Sequence, residues 1–210
     1  FTNTGSIVAD EGAYAIKVDG GNADINLKAG SVRGDILIGG KESSTVGEVN
    51  LTINSDALVE GDLTAKDGIL KIQSADGAAT LNGTLTVDGA TVTTAYGTVL
   101  TIDAPAVARV AAPDVDLKKG IFTVVEGSEL NADTVNVTAG TDGYRLKVSG
   151  EADIDTLNVT ASTKTAIQTL KDGELNIGTV TVTGSGMAID MSGSSVVTVN
   201  KAIESTVDAK

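Results

Sequence analysis

Residues 121–140 read IFTVVEGSELNADTVNVTAG, and residues 144–162 read YRLKVSGEADIDTLNVTAS. The two stretches share one plan. Each opens with an alternating apolar run, passes a glycine (Gly127, Gly150), continues into a second alternating run and closes on small polar residues. Two more stretches follow the plan: 166–185 (AIQTLKDGELNIGTVTVTGS) with Gly173, and 187–202 (MAIDMSGSSVVTVNKA) with Gly193. Val137, Val159, Val182 and Val199 take the same place in each. Their spacings are 22, 23 and 17 residues, so the last unit reads as a short one.

Alternation of apolar and polar residues marks strands with one buried face. Gly, Asn, Asp and Ser at the breaks supply turn conformations. A unit this short cannot bury its apolar face alone. Stacking equivalent units does so, with each strand pairing in parallel to the strands above and below. Residues 14–27, close in wording to 144–157, together with 49–64, 69–87 and 99–117 read as further copies. The expectation is therefore an all-β fold, a right-handed parallel β-helix (β-solenoid) of about eight coils of roughly 22 residues, with three short strands per coil. Extra loop residues are expected near Ile38–Val46 and Ala90–Thr98. Pro105 and Pro113, in the Ala104–Pro113 stretch, are expected to break one face of the stack. Residues 1–210 read as a single β-solenoid domain with short polar ends (Phe1–Glu11, Ala202–Lys210), and as a fragment of a longer repeat protein.

Composition agrees with this plan. Hydrophobic residues make up 41% of the 210, but only Phe1, Tyr14, Tyr96, Phe122 and Tyr144 are aromatic, so the core must be aliphatic. The net charge of −13 repels phosphate backbones, and Lys118-Lys119 is the only basic pair, so no nucleic-acid partner is expected. With no Cys and no His there is no disulfide, no thiolate or imidazole metal site, no cysteine nucleophile and no Ser-His-Asp triad. No apolar run approaches the roughly 20 residues that cross a bilayer, so no membrane insertion by this segment is expected.

The A-I-K-V-x-G-G … D-I-N-L and D-T-L-N-V-T-A-S coils, spread over Gly12 to Val199, resemble the passenger domains of bacterial autotransporters and related large secreted β-helix adhesins. The resemblance is one of style, carried also by the scarce aromatics, absent cysteines and acidic balance. It implies secretion or display on the outer surface of a Gram-negative bacterium. It also implies adhesion, aggregation or a mounted effector. No family site motif is present, so no functional residue is carried over.

The coil register places Asp133 and Asp155 side by side, about 4.8 Å apart. That lies near the roughly 5–5.5 Å separation of a retaining glycosidase pair. The plainer reading is two solvated turn carboxylates, and a cation bridging them is a third. Gly20–Leu27 (GGNADINL) loosely matches a calcium-binding nonapeptide but does not recur at nine residues, so it reads first as a glycine turn before a strand. Asn131, Asp153 and Asn176 share one column, a structural polar ladder before a ligand site. Arg33, Arg109 and Arg145 lie far apart in sequence, too scattered for a polysaccharide lyase, and Arg145 is expected on an outward strand position beside Tyr144. Tyr14 and Tyr144 are expected to open equivalent coils.

No catalytic, cofactor-binding or metal-binding residue is assigned, and no cofactor is expected. The expected function is a surface-displayed or secreted bacterial structural or adhesive module, not an enzyme. Its expected partners are a host or bacterial surface glycan or protein, or further copies through the solenoid ends or faces. The alternative is a carbohydrate-active β-helix enzyme acting on polysaccharide.

Overall fold

The structure, a computed structural model, describes residues 1–206 apart from residues 43, 105–112, 140, 142 and 162. Every element among them is a strand. In chain order these are β1 (Thr2–Asn3), β2 (Ser6–Val8), β3 (Tyr14–Val18), β4 (Gly21–Leu27), β5 (Gly30–Arg33), β6 (Asp35–Ile38) and β7 (Val46–Ile53). Then come β8 (Ala57–Glu60), β9 (Leu63–Ala65), β10 (Ile69–Gln73), β11 (Ala78–Leu81), β12 (Leu85–Thr94), β13 (Val99–Ile102) and β14 (Val115–Val124). The last are β15 (Glu129–Ala139), β16 (Leu146–Val148), β17 (Glu151–Ala161), β18 (Ile167–Thr169), β19 (Glu174–Thr183), β20 (Ile189–Met191) and β21 (Val196–Thr206).

All pairings between these strands are parallel, and they form three faces. Face A is the ladder β1–β4–β7–β10–β12–β14–β16–β18–β20, using the second halves of β12 and β14. Nine strands in one ladder are separated by eight turns, so the stack rises about 38 Å at about 4.8 Å per turn. Face B holds β2, β5, β8, β11 and β13, then the first halves of β15, β17, β19 and β21. Face C holds β3, β6, β9, the first halves of β12 and β14, and the second halves of β15, β17, β19 and β21. The chain is thus a parallel β-solenoid with three strands per turn and a repeat of about 22 residues.

The core is a continuous aliphatic column. On face C, Val87, Leu117, Val137 and Val159 lie one above another, each at most 1% exposed. Phe122 is the one fully buried aromatic among the described residues. The apolar residues that pack on the core while only partly buried, such as Ile7, Ile16, Ile189 and Val197, belong mostly to the first and last coils.

The expected register holds for Val137, Val159 and Val182, which pair in sequence. It fails at Val199, which faces Ile177 on face B, while Val182 faces Ser205. The last coil is therefore not short. One residue, Gly178, spans its corner in β19, whereas Asn200 and Lys201 span the same corner in β21. Tyr14 and Tyr144 do not open equivalent coils either. Lys17 of the Tyr14 stretch pairs on face C, and Lys147 beside Tyr144 pairs on face A. Residues 14–27 thus repeat the wording of 144–157 one face out of phase.

The loop after Ile38 is present, lying between β6 and β7. Ala90–Thr98 is not an insertion, because Thr91–Thr94 is the face A strand of its coil. The longest interval between consecutive strands instead falls between β13 and β14, at the corner between faces B and C. Pro105 and most of the Ala104–Pro113 stretch lie outside the described residues. The Pro113 carbonyl accepts a hydrogen bond from Thr84 Oγ1 at 2.8 Å.

Corner chemistry differs along the stack. In the amino-terminal coils the corner between faces B and C is glycine. A Cβ on Gly83 would stand 2.1 Å from the Gly61 carbonyl oxygen, an impossible contact, so successive turns can only close with no side chain there. The residue after each glycine ties the coils together. Asp35 Oδ1 accepts from the Asp62 N–H at 3.0 Å, and Asp62 Oδ1 from the Thr84 N–H at 2.9 Å. Buried Asp114 repeats the device, accepting from the Thr134 N–H at 2.7 Å.

Candidate functional site

In the coils of β15, β17 and β19, faces B and C project alternate residues outward. Cα register aligns them in columns: Glu129–Glu151–Glu174 and Asn131–Asp153–Asn176. Asp133 and Asp155 continue the face at its corner with face C, where Gly178 takes the next place. This is the candidate site, an acidic sheet surface with a groove along each edge.

One groove, of about 320 Å³, runs along the corner and is lined by Asp103, Asp133, Asp153 and Asp155. Asp133 and Asp155 are brought to neighbouring positions, as the spacing predicts. Asp133 is exposed, but crowding by adjacent coils still desolvates its carboxyl enough to push it above the ordinary range. Repulsion from Asp114, Asp155 and Asp103 adds to that, in that order. No lysine or arginine lines this groove. Among the described residues no group of three or more acids is arranged to hold a metal ion.

The central column is a ladder in part. Asn176 Nδ2 donates to Asp153 Oδ1 at 2.8 Å, while Asn131 Nδ2 donates sideways to Glu129 Oε1 at 2.8 Å. The glutamate column flanking it escaped the sequence reading, although the signal is present: a Glu begins the second run of each unit at Glu129, Glu151 and Glu174. Burial raises the Glu151 carboxyl, with repulsion from Asp153, Glu129 and Glu174 behind it. These three glutamates line a second groove, of about 400 Å³, at the corner between faces A and B.

Tyr96 adjoins that second groove through Gly97, which follows it, and Gly127, both of which line it. It is 82% exposed, and its ring lies against Gly127, where an added Cβ would meet the ring at 2.4 Å. Only a glycine leaves room for the ring to lie there. The position of Tyr96 is not legible from the sequence, where residues 90–98 read as extra loop residues.

The remaining candidates have structural roles. Arg145 is not outward: it is 4% exposed, and it donates to the carbonyls of Thr138 (3.2 Å, from Nε) and Gly120 (3.4 Å, from an η nitrogen). A guanidinium can satisfy several carbonyls at a tight corner, which explains its burial. Its neighbour Tyr144 reaches across two turns, its hydroxyl donating to Asp190 Oδ2 at 2.6 Å, with Lys147 Nζ 5.8 Å from the ring centre. Arg33 pairs with Glu60 at 2.7 Å on the surface. Arg109 lies outside the described residues. Gly20–Leu27 is a corner leading into β4, and its polar side chains bind the next coil. Asn22 Oδ1 accepts from the Glu48 N–H, and Asp24 Oδ1 from Asn50 Nδ2, both at 2.9 Å. Lys118-Lys119 sits at an irregularity of register, with Lys118 paired to Asp116 at 3.2 Å.

Compared with known proteins, the chain matches no family model, no curated protein and no solved structure.

Proposed function

We propose that this chain is a structural and adhesive segment of a secreted or surface-displayed bacterial β-helix protein. The observation that supports this best is the contrast of two adjoining faces in the same coils. Face C presents Thr134, Asn136 and Thr138, then Thr156, Asn158 and Thr160, then Thr179, Thr181 and Thr183. Face B presents Glu129, Glu151 and Glu174 in register, with Asp153, Asp133 and Asp155 beside them. Like charges directly opposite on paired strands are destabilising. The neutral face demonstrates that this backbone has no need of them. A costly, regular, exposed surface on a rigid rod is suited to contact with a partner. Binding of the purified chain to arrays of glycans and matrix proteins, with and without a calcium chelator, tests the reading. Specific capture is expected. A blank array would leave a passive stalk in place of an adhesive segment.

One observation favours a carbohydrate-active enzyme instead, the raised carboxyl of Asp133 beside Asp155. Under that reading Asp133→Asn abolishes polysaccharide cleavage. Under ours there is no cleavage to lose, and the same substitution, one carboxylate among several at the edge of the face, changes capture on the array only slightly.

A further inference from the structure

We propose that the groove at the corner of faces A and B, entered past Tyr96, is a subsite for an uncharged oligosaccharide. This rests on the adhesive reading above and gives it a ligand class and a place.

The case begins with Tyr96. Packing explains the burial of Phe122 but not a tyrosine that is 82% exposed in a chain with five aromatics. The ring is nonetheless held in place. It rests on Gly127, whose missing Cβ makes room for it, and the adjacent Gly97 N–H donates to the Gly127 carbonyl at 3.0 Å. A tyrosine anchored on one side and bare elsewhere is a rigid, amphipathic contact that loses little conformational freedom on binding. The C–H face of a pyranose is complementary to such a ring.

The groove continues from Gly97 and Gly127 past Glu129, Glu151 and Glu174. The glutamates recur once per coil, about 4.8 Å apart, close to the advance of one sugar along an extended chain. Carboxylates accept hydrogen bonds and donate none when ionised, so they suit a ligand rich in hydroxyl donors. No side chain among the described residues donates a hydrogen bond to the Glu151 carboxylate, which leaves its oxygens available. No lysine or arginine lines the groove, so a uronate or sulfated glycan meets only repulsion there. A lysine-rich peptide would also be attracted, by the glutamates and by the ring face, but its binding would depend steeply on salt.

The test is titration of the full chain with β-1,4-linked hexamers of glucose and of N-acetylglucosamine. A sulfated hexasaccharide and a lysine-rich peptide serve as comparisons. At least one uncharged hexamer should bind with little change between low and high salt, and the sulfated one should not. Tyr96→Ala should weaken binding tenfold or more, Tyr96→Phe should stay within about twofold, and Glu151→Gln should weaken it a few-fold. Tyr96 is exposed, so circular dichroism of Tyr96→Ala should match the wild type. Two outcomes overturn the subsite: an uncharged hexamer that binds equally well to Tyr96→Ala, or salt-sensitive binding of the peptide alone. In either case capture on the wider array still supports the adhesive reading. A chain that captures nothing on that array, hexamers included, removes both.

Discussion

Faces B and C of the coils formed by β15, β17 and β19 share one backbone, one register and one kind of interior. Behind face C lie Val135, Val137, Leu157 and Val159, and behind face B lie Leu130, Ala152, Ile154 and Leu175, all buried. Only the outward residues differ. Face C carries hydroxyls and amides, among them Asn158 Nδ2 donating to Asn136 Oδ1 at 2.9 Å. Face B carries stacked carboxylates, among which Glu151 and Asp133 are raised first by burial and then by repulsion from neighbouring acids. The inward column therefore specifies the solenoid, and the outward columns are free within the limits of solubility. Folding constrains what the outward columns hold far less than what the inward column holds.

The strongest way to break this comparison is to attack what the faces share. Val159 is 1% exposed and stands between Val137 and Val182. Val159→Asp buries an unpaired carboxylate at a cost of several kcal/mol. Thermal or denaturant unfolding should show a large loss of stability or no folded protein. Unfolding like that of the wild type would mean that the register is wrong and that the two faces are not what they are taken to be. Arg145→Ala should come next. It strips donors from the Thr138 and Gly120 carbonyls at the corner where face C ends, a loss of about 1–3 kcal/mol. Arg145→Lys should recover only part of it, since an ammonium cannot span both carbonyls as a planar fork does. Full recovery by lysine would reduce the role of Arg145 to its charge.

How far this was legible in the sequence depends on the corners. From Gly127 to Thr183 the strands of faces B and C run on as single strands of 10 or 11 residues. The repeat is then uninterrupted, and Asp133, Asp155, Asn131, Asp153 and Asn176 fall where spacing puts them. In the amino-terminal coils each face has its own strand, and glycine corners such as Gly61 and Gly83 separate them. All three faces there use the same apolar alternation, so wording alone cannot tell which face a strand serves. That is why Tyr14–Leu27 was matched to the wrong phase. Tyr96 was missed, and Arg145 placed outward, for a related reason. Both sit at corners, where neighbours in space come from other coils and alternation carries no information.

Smaller substitutions sharpen the contrast between the faces. Asn158→Asp on face C removes the donor to Asn136 and introduces a charge where none stands, and should cost about 1 kcal/mol. Glu151→Gln on face B does the reverse. Removing the middle carboxylate of Glu129–Glu151–Glu174 should stabilise the chain by about 0.2–1 kcal/mol, nearer the lower figure because the column is solvated. Paired denaturant midpoints for the two variants should move in opposite directions. Movement in the same direction would remove the claim that the acidic face carries a cost.

The gentlest test titrates the faces without mutation. Asp133 and Glu151 are raised in the folded chain, so above their raised range, where both are charged, the folded state bears the penalty. As the pH falls into their raised range they take up protons in the folded state before the unfolded one, and folding is favoured. Asp76 behaves oppositely. Hydrogen bonds from the Ser55 and Ser74 side chains hold it at about 2, so its contribution persists above the ordinary carboxylate range and is lost as the pH falls through about 2. Asp172, lowered chiefly by the Ser194 hydroxyl, adds to that loss. The melting temperature should therefore rise modestly as the pH falls from above their raised range towards the ordinary carboxylate range, and fall again in stronger acid. Combining Asp133→Asn with Glu151→Gln should flatten the rise and leave the fall in place. A double variant that kept the full rise would place its source in carboxylates away from face B, and the two faces would then differ in composition but not in energy.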